Sequence, residues 1–170
     1  MERKSNTNYR TRLKLLKSGL PRLVIRKTNN IIMGQIIEYK NDGDATLDSV
    51  YGPELKKYGW LFSTKNTPAS YLLGFLLSKK SKCKEAVVDK GQTTLKKDSF
   101  VYYFMKGAQD GGIDLHSSEL PISEDRMFGK HISGYVNTSG KQFSKIGAKT
   151  KDIKDDFNKV LENIKNMKTA

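Results

Sequence analysis

Cysteine, histidine and tryptophan are scarce in this 170-residue chain, which holds one Cys, two His and one Trp. With Cys83 alone, no internal disulfide can form, which fits a reducing compartment. His116, His131 and Cys83 match no common zinc spacing. No apolar run approaches the roughly 20 residues that span a bilayer, and the N-terminus lacks an apolar signal core behind its charges, so a soluble, intracellular protein is expected. Walker-type phosphate loops are missing too: GAQDGG has neither the lysine nor the preceding strand that such a loop requires. Acid is also absent between Glu2 and Glu38.

What the chain has in excess is positive charge. The net charge is +13 and 36% of residues are hydrophobic, enough for one globular domain with a core. Such an imbalance costs self-repulsion unless a polyanion neutralises it, which favours nucleic acid over a membrane surface. The charge is unevenly spread. Residues 1–40 hold ten Lys/Arg against two acids, residues 41–136 thirteen against twelve, and residues 137–170 eight against four. Basic appendages around a neutral centre are expected where arms grip phosphates. Three parts follow: a basic N-terminal arm over 1–21, an α/β domain over 22–136, and a basic linker with an amphipathic helix over 137–170.

In the arm, Tyr9, Leu13 and Leu16 recur at helical spacing before the stop signals Gly19 and Pro21. The spacing predicts a short helix with that stripe in the core and Arg10, Arg12, Lys14 and Lys17 facing a polyanion. A solvated face with snorkelling lysines is the plainer alternative, but no acid balances this face. RLVIRK and IIMGQIIEYK, joined by Thr28-Asn29-Asn30, read as a hairpin, and TLDSVYG offers a third strand. TPASYLLGFLLSKK reads as a buried helix with Thr67 as N-cap and Pro68 at its first position. EAVVDKG reads as a short strand in the middle of a sheet, reached by a crossover. A helix with Phe100, Val101, Phe104, Met105 and Ala108 on its buried face ends at Gly111-Gly112. A third starts at Ser123 with Phe128, Ile132 and Tyr135 on one side. After a basic linker from Ser139-Gly140 to Thr150, Ile153, Phe157, Val160, Ile164 and Met167 form a two-heptad stripe that needs an apolar surface. The fold class expected is α/β, a mixed sheet flanked by helices.

Enzyme signatures are weak. Asp89, Asp110, Asp114 and Asp125 suggest a carboxylate metal cluster of nuclease type, but isolated acids of this kind usually serve as caps, turns or surface. Neither histidine sits convincingly beside a nucleophile. Lys65, Asn66 and Thr67 precede a helix N-terminus, where backbone N–H groups favour phosphate; plain capping is an equal reading. The loop GQTTLKKDS presents Lys96 and Lys97 between strand and helix.

Together YRTRLKLLKSGLPRLVIRKTNN, LKKYGWLFSTKNTPASYLLG, EAVVDKGQTT and FMKGAQDGGIDLHSSELPISEDRMFGKHI resemble, from about residue 3 to about residue 136, the archaeal large-subunit ribosomal proteins of the L-eighteen family. Two departures stand out: Lys90 follows the aspartate where members often carry a hydrophobic residue, and FVYYF stands where they carry small ones. The resemblance implies a ribonuclease-H-like architecture without catalysis, no cofactor and no metal, in a cytoplasmic ribosomal protein. It also implies partners: 5S rRNA, the large-subunit rRNA to which that RNA is attached, and neighbouring ribosomal proteins, with no membrane. RNA contacts carried over by position are Arg3, Lys4, Tyr9, Arg10, Arg12, Lys14 and Lys17 in the arm, and Arg22, Arg26, Lys27 and Asn29 in the hairpin. Lys65, Asn66 and Thr67 follow, then Thr93, Thr94, Lys96 and Lys97. The tail helix would meet rRNA, another ribosomal protein or this domain's own surface. A ribonuclease-H-like processing nuclease is the alternative function.

Overall fold

A computed structural model describes residues 8–117, 119–139 and 153–167. Helix α1 (Tyr9–Leu16) leads into strands β1 (Arg22–Lys27), β2 (Ile32–Glu38) and β3 (Ala45–Tyr51) and a 3-10 helix (Gly52–Tyr58). Helix α2 (Thr67–Lys80), strand β4 (Val87–Asp89) and helix α3 (Phe100–Asp110) follow, then α4 (Glu124–Met127), α5 (Lys130–Ser139) and α6 (Ile153–Lys165). The expected hairpin pairs Arg22 with Ile37 through to Lys27 with Ile32. Strand β3 lies antiparallel to β2 and β4 parallel to β1, in the order β3-β2-β1-β4. The protein is therefore α/β, with a mixed four-stranded sheet flanked by helices.

Strand β4 was expected in the middle of the sheet and lies at its edge. Ala86 and Val88 pack on the core, while β1 is its one strand neighbour. Partial burial of Val88 against the core, beside buried Ala86, accounts for its apolar sequence without a second flanking strand.

Eleven consecutive residues of α2, Pro68 to Ser78, are buried. Its cap is Asn66, one residue earlier than expected: the side chain accepts a hydrogen bond from the Ala69 N–H at 2.9 Å, and Thr67 becomes the first helical residue. Asparagine is at least as good a cap as threonine, and the shift places Pro68 at the second position, where its missing N–H costs nothing.

Helices α2 and α3 touch backbone to backbone. A Cβ at Gly74 would lie 2.0 Å from the Phe104 carbonyl oxygen, and one at Gly107 would lie 2.0 Å from that of Tyr71. Ser70 Oγ donates to the Phe100 carbonyl at 2.6 Å, and the Tyr71 hydroxyl donates to Asp110 at 2.9 Å. Phe104 projects from this contact into the sheet, where only a glycine at position 34 leaves room for its ring.

Two helices differ from expectation. The segment from Ser123 is broken at Gly129, whose φ of 76° belongs to the left-handed region and separates α4 from α5. Phe128 and Ile132 still pack on the core; the side chain of Tyr135 lies outside the described residues, as does the linker from 140 to 150. In α1 no residue is buried, and Tyr9 and Leu13 are 66% and 58% exposed, so the predicted stripe is not part of the core. Leu15, in the last turn of this eight-residue helix, borders a groove together with Val24 and Ile37 of the sheet.

The tail helix α6 takes the domain's own surface. Ile153, Phe157, Val160 and Ile164 are buried in the common core. The Phe157 ring meets those of Tyr71 and Phe128, each at 5.5 Å between centroids, and Asn163 Nδ2 donates to the Tyr58 carbonyl at 3.0 Å.

Two stability measurements test this packing. Phe157→Ala is expected to lower unfolding free energy in urea by about 3–5 kcal/mol, as for other large core truncations; a loss under about 1 kcal/mol would show α6 to be a loose appendage. Gly107→Ala, which in an open helix would gain up to about 1 kcal/mol from propensity, is expected to destabilise because the Tyr71 carbonyl blocks the methyl.

Candidate nucleic-acid interface

The first turns of α2 and α3 start side by side, and between them opens a cleft of about 480 Å³. Its lining gathers three sequence segments that were read separately. Lys27 comes from the hairpin, Lys65, Asn66 and Thr67 from the start of α2, and Thr93, Thr94, Lys96 and Lys97 from the loop after β4. Phe100, Arg126 and His131 complete the wall, and Asp98 is the one acid among five cationic side chains.

Asp98 holds this loop in shape. Its backbone sits at a φ of 59°, an uncommon conformation for a residue with a Cβ. One carboxylate oxygen accepts from the Tyr103 hydroxyl at 2.6 Å and from the Ser123 N–H at 2.7 Å; the other accepts from Ser123 Oγ at 3.0 Å. The Tyr103 bond, more than any other contact, keeps the carboxyl below its usual range. Burial and the neighbouring carboxylate raise the Tyr103 hydroxyl to about 12. Asp98 is thus a clamp between the loop and α4, its charge engaged by donors of the protein.

The other lining groups are also held. Asn66 caps α2, and the Thr67 hydroxyl donates to the Arg126 carbonyl at 3.1 Å, so α4 is tied to the start of α2. Asn66 thus serves as a cap through its carbonyl oxygen, and its amide N–H₂ remains as a donor. Lys65 Nζ reaches the Asn29 carbonyl at 3.3 Å. The Lys27 ammonium lies 5.1 Å from the centre of the Phe100 ring, a cation–π arrangement. Partial burial and the Arg126 guanidinium push the His131 imidazole down from its ordinary pKa.

A second groove, about 670 Å³, runs beside the first and shares Lys27 and Thr93 with it. Asn8, Thr11, Arg12 and Leu15 of the arm form one bank, and Lys90, Gly91 and Gln92 lie along the other. Beneath it runs a chain of charges. Arg12 and Arg22 both bond Asp44, at 2.9 and 2.6 Å; Arg22 approaches Asp89 at 3.9 Å, and Arg26 pairs with Asp89 at 3.1 Å. Arg26 also donates to the Asp89 carbonyl at 2.8 Å.

The expected contact residues thus separate by environment. Tyr9, Arg10, Lys14, Lys17, Lys27, Asn29, Lys65, Thr94, Lys96 and Lys97 are exposed. Asn66, Thr67 and Thr93 are half-buried in the cleft wall, and Arg12 and Arg26 are half-buried and ion-paired. Arg22, expected on the outer grip, is 4% exposed and locked between two aspartates. In an alternating strand it points to the face that borders the second groove, where two carboxylates neutralise it. Arg3 and Lys4 lie outside the described residues.

Sequence reasoning missed Arg126, His131 and Phe100 as cleft residues. They are remote in sequence from Lys65 and the Thr93 loop, and no local spacing signals their approach. The four aspartates considered as a metal cluster are dispersed: Asp89 pairs with arginines, Asp110 with Tyr71 and Lys106, Asp114 with His116, and Asp125 with Lys130. Among the described residues, no group of three or more His, Cys, Asp or Glu is placed to hold a metal. No described helix is long and apolar enough to cross a membrane.

Comparison with known proteins gives a family. The profile of a family described as ribosomal large subunit proteins 60S L5, and 50S L18, matches residues 1–101. A large ribosomal subunit protein uL18 from the archaeon Korarchaeum cryptofilum is 40% identical, over 97% of this chain and 91% of its own length.

The Asp98 clamp predicts a pH effect. A carboxylate with a lowered folded pKa adds stability that is full above its unfolded value of about 3.9 and is lost as pH falls through the folded value. Asp98→Asn should remove that contribution, so urea midpoints measured between pH 5 and 2 should fall less steeply in the variant. Parallel acid limbs would show that the clamp is not coupled to folding.

Proposed function

The chain belongs to the family of ribosomal large subunit proteins 60S L5 and 50S L18, and we propose that within the large subunit it binds 5S rRNA and helps attach that RNA to the large-subunit rRNA. As a member of this family it is a structural component of the cytoplasmic ribosome and not an enzyme; the nuclease alternative has no support.

The observation that carries the RNA reading is convergence. Three basic segments, far apart in sequence, share one cleft with five cations and one internally satisfied acid, and a second groove bordered by the arm opens beside it. Phosphates bound there release counterions, which supplies affinity. RNA identity is then read from shape, 2′-hydroxyls and exposed bases by the amide, hydroxyl and aromatic groups of the lining. The choice of 5S rRNA comes from the family likeness; the geometry supports RNA as a class. Exposed Arg10 and Lys14 on α1 and Lys17 at its C-cap extend the grip outward, and the paired Arg12 and Arg26 hold the arm and the loop at Gly91 in position.

Retention of 5S rRNA over transfer RNA at moderate salt is the direct test; equal retention would reject the choice of RNA. Lys65→Ala and Lys96→Ala should each weaken 5S rRNA binding and lower the magnitude of the salt slope by about 0.7–0.9, one phosphate contact apiece. Arg22→Ala should behave differently. It leaves Asp44 and Asp89 short of a partner, so thermal stability falls while the salt slope of the remaining folded protein stays unchanged.

A further inference from the structure

We propose that the cleft between the starts of α2 and α3 receives a single unpaired nucleotide turned out of the RNA helix. The inference rests on the RNA-binding reading above and adds the form in which the RNA enters.

Size and lining argue for it together. At about 480 Å³ the cleft falls in the range of about 300–1,000 Å³ typical of small-ligand sites. An A-form duplex presents phosphates and sugars outward and keeps its bases stacked. It would meet the lysines and leave the rest of the lining unused. That rest includes two rings, Phe100 and His131, and the hydrogen-bonding side chains of Thr93 and Asn66. Rings next to hydrogen-bonding groups match an unstacked base, which offers a π-face and a polar edge.

The cations are placed for the same ligand. Lys27 stands 5.1 Å from the centre of the Phe100 ring, so a phosphate drawn to Lys27 brings the adjoining base to the aromatic wall. Because Lys27 and Thr93 border both grooves, a strand following the second groove passes the mouth of the cleft, where one nucleotide can turn in. His131 adds a second ring to the lining beside that of Phe100, and partial burial and the Arg126 guanidinium both disfavour its charged form. The loop is already shaped by the Asp98 clamp, so little ordering is required on entry.

The test uses the full chain, with AMP and inorganic phosphate as probes. In NMR titrations, AMP is expected to shift the Thr93 amide and the His131 ring signals, while phosphate at equal concentration leaves the His131 ring unmoved. Equal shifts from both probes would reduce the cleft to a phosphate site and overturn the proposal. In parallel, His131→Ala and Phe100→Leu are expected to weaken 5S rRNA binding about tenfold with the salt slope unchanged, because stacking and not charge is lost. His131 is exposed, so its variant remains informative if Phe100→Leu folds poorly. No AMP response in a protein that binds 5S rRNA normally would sink the nucleotide and leave the RNA reading standing. Failure of the parent chain to bind 5S rRNA would overturn both.

Discussion

Everything that the cleft offers depends on how closely α2 and α3 approach. Gly74 and Gly107 let the two backbones meet, and the Ser70 hydroxyl bridges to Phe100 one turn from the helix starts. Because the helices are rigid, fixing their crossing also fixes where they begin. Asn66 and Thr67 come to lie opposite Ser99 and Phe100, with Asp98 clamped to Ser123 behind them. A side chain larger than hydrogen at either glycine would spread the helices, and the walls of the cleft with them. The core contact and the binding surface are in this sense one piece of geometry.

A net charge of +13 could suggest that every cation on the arm and hairpin is free for a polyanion. Pairing says otherwise. Arg12, Arg22 and Arg26 share Asp44 and Asp89 in one chain of contacts, whereas Lys14, Lys17, Lys96 and Lys97 reach solvent. The division follows side-chain chemistry. Arginine's planar fork bonds two carboxylates at once, and it tolerates desolvation better than an ammonium group. Arginines thus hold the arm, the hairpin and β4 together, and lysines dominate the surface left for phosphates.

Much of this architecture was legible in the residues. Turn chemistry located the hairpin, an all-apolar run located α2, and the heptad stripe of α6 named the four residues that are buried. The failures share a cause: local pattern says that a face is apolar and not what covers it. Tyr9 and Leu13 have helical spacing, but no residue of this short helix is buried, and those two side chains stay in solvent. Val87 and Val88 read as a central strand because an apolar run does not tell a half-buried edge strand from one between two neighbours. In the site, lysines and amides in loops were visible as candidates, but their meeting with Arg126 and His131 depends on the turn at Gly129 and on contacts across the fold. Arg22 looked like its neighbours until the two aspartates, each about twenty or more positions away, were placed beside it.

Gly129 has one more neighbour of interest. A Cβ there would lie 2.7 Å from Ile153 Cγ2, at the first residue of α6, and 3.4 Å from Pro68 Cγ in the first turn of α2. The elbow that carries Arg126 and His131 is therefore wedged between the tail and the helix start that forms the cleft's other wall. The tail helix acts as a brace at the back of the cleft. A chain still emerging during synthesis would hold its arm and both helices before it had the strut that backs the elbow, so the wall carrying Arg126 and His131 is braced only once α6 has packed.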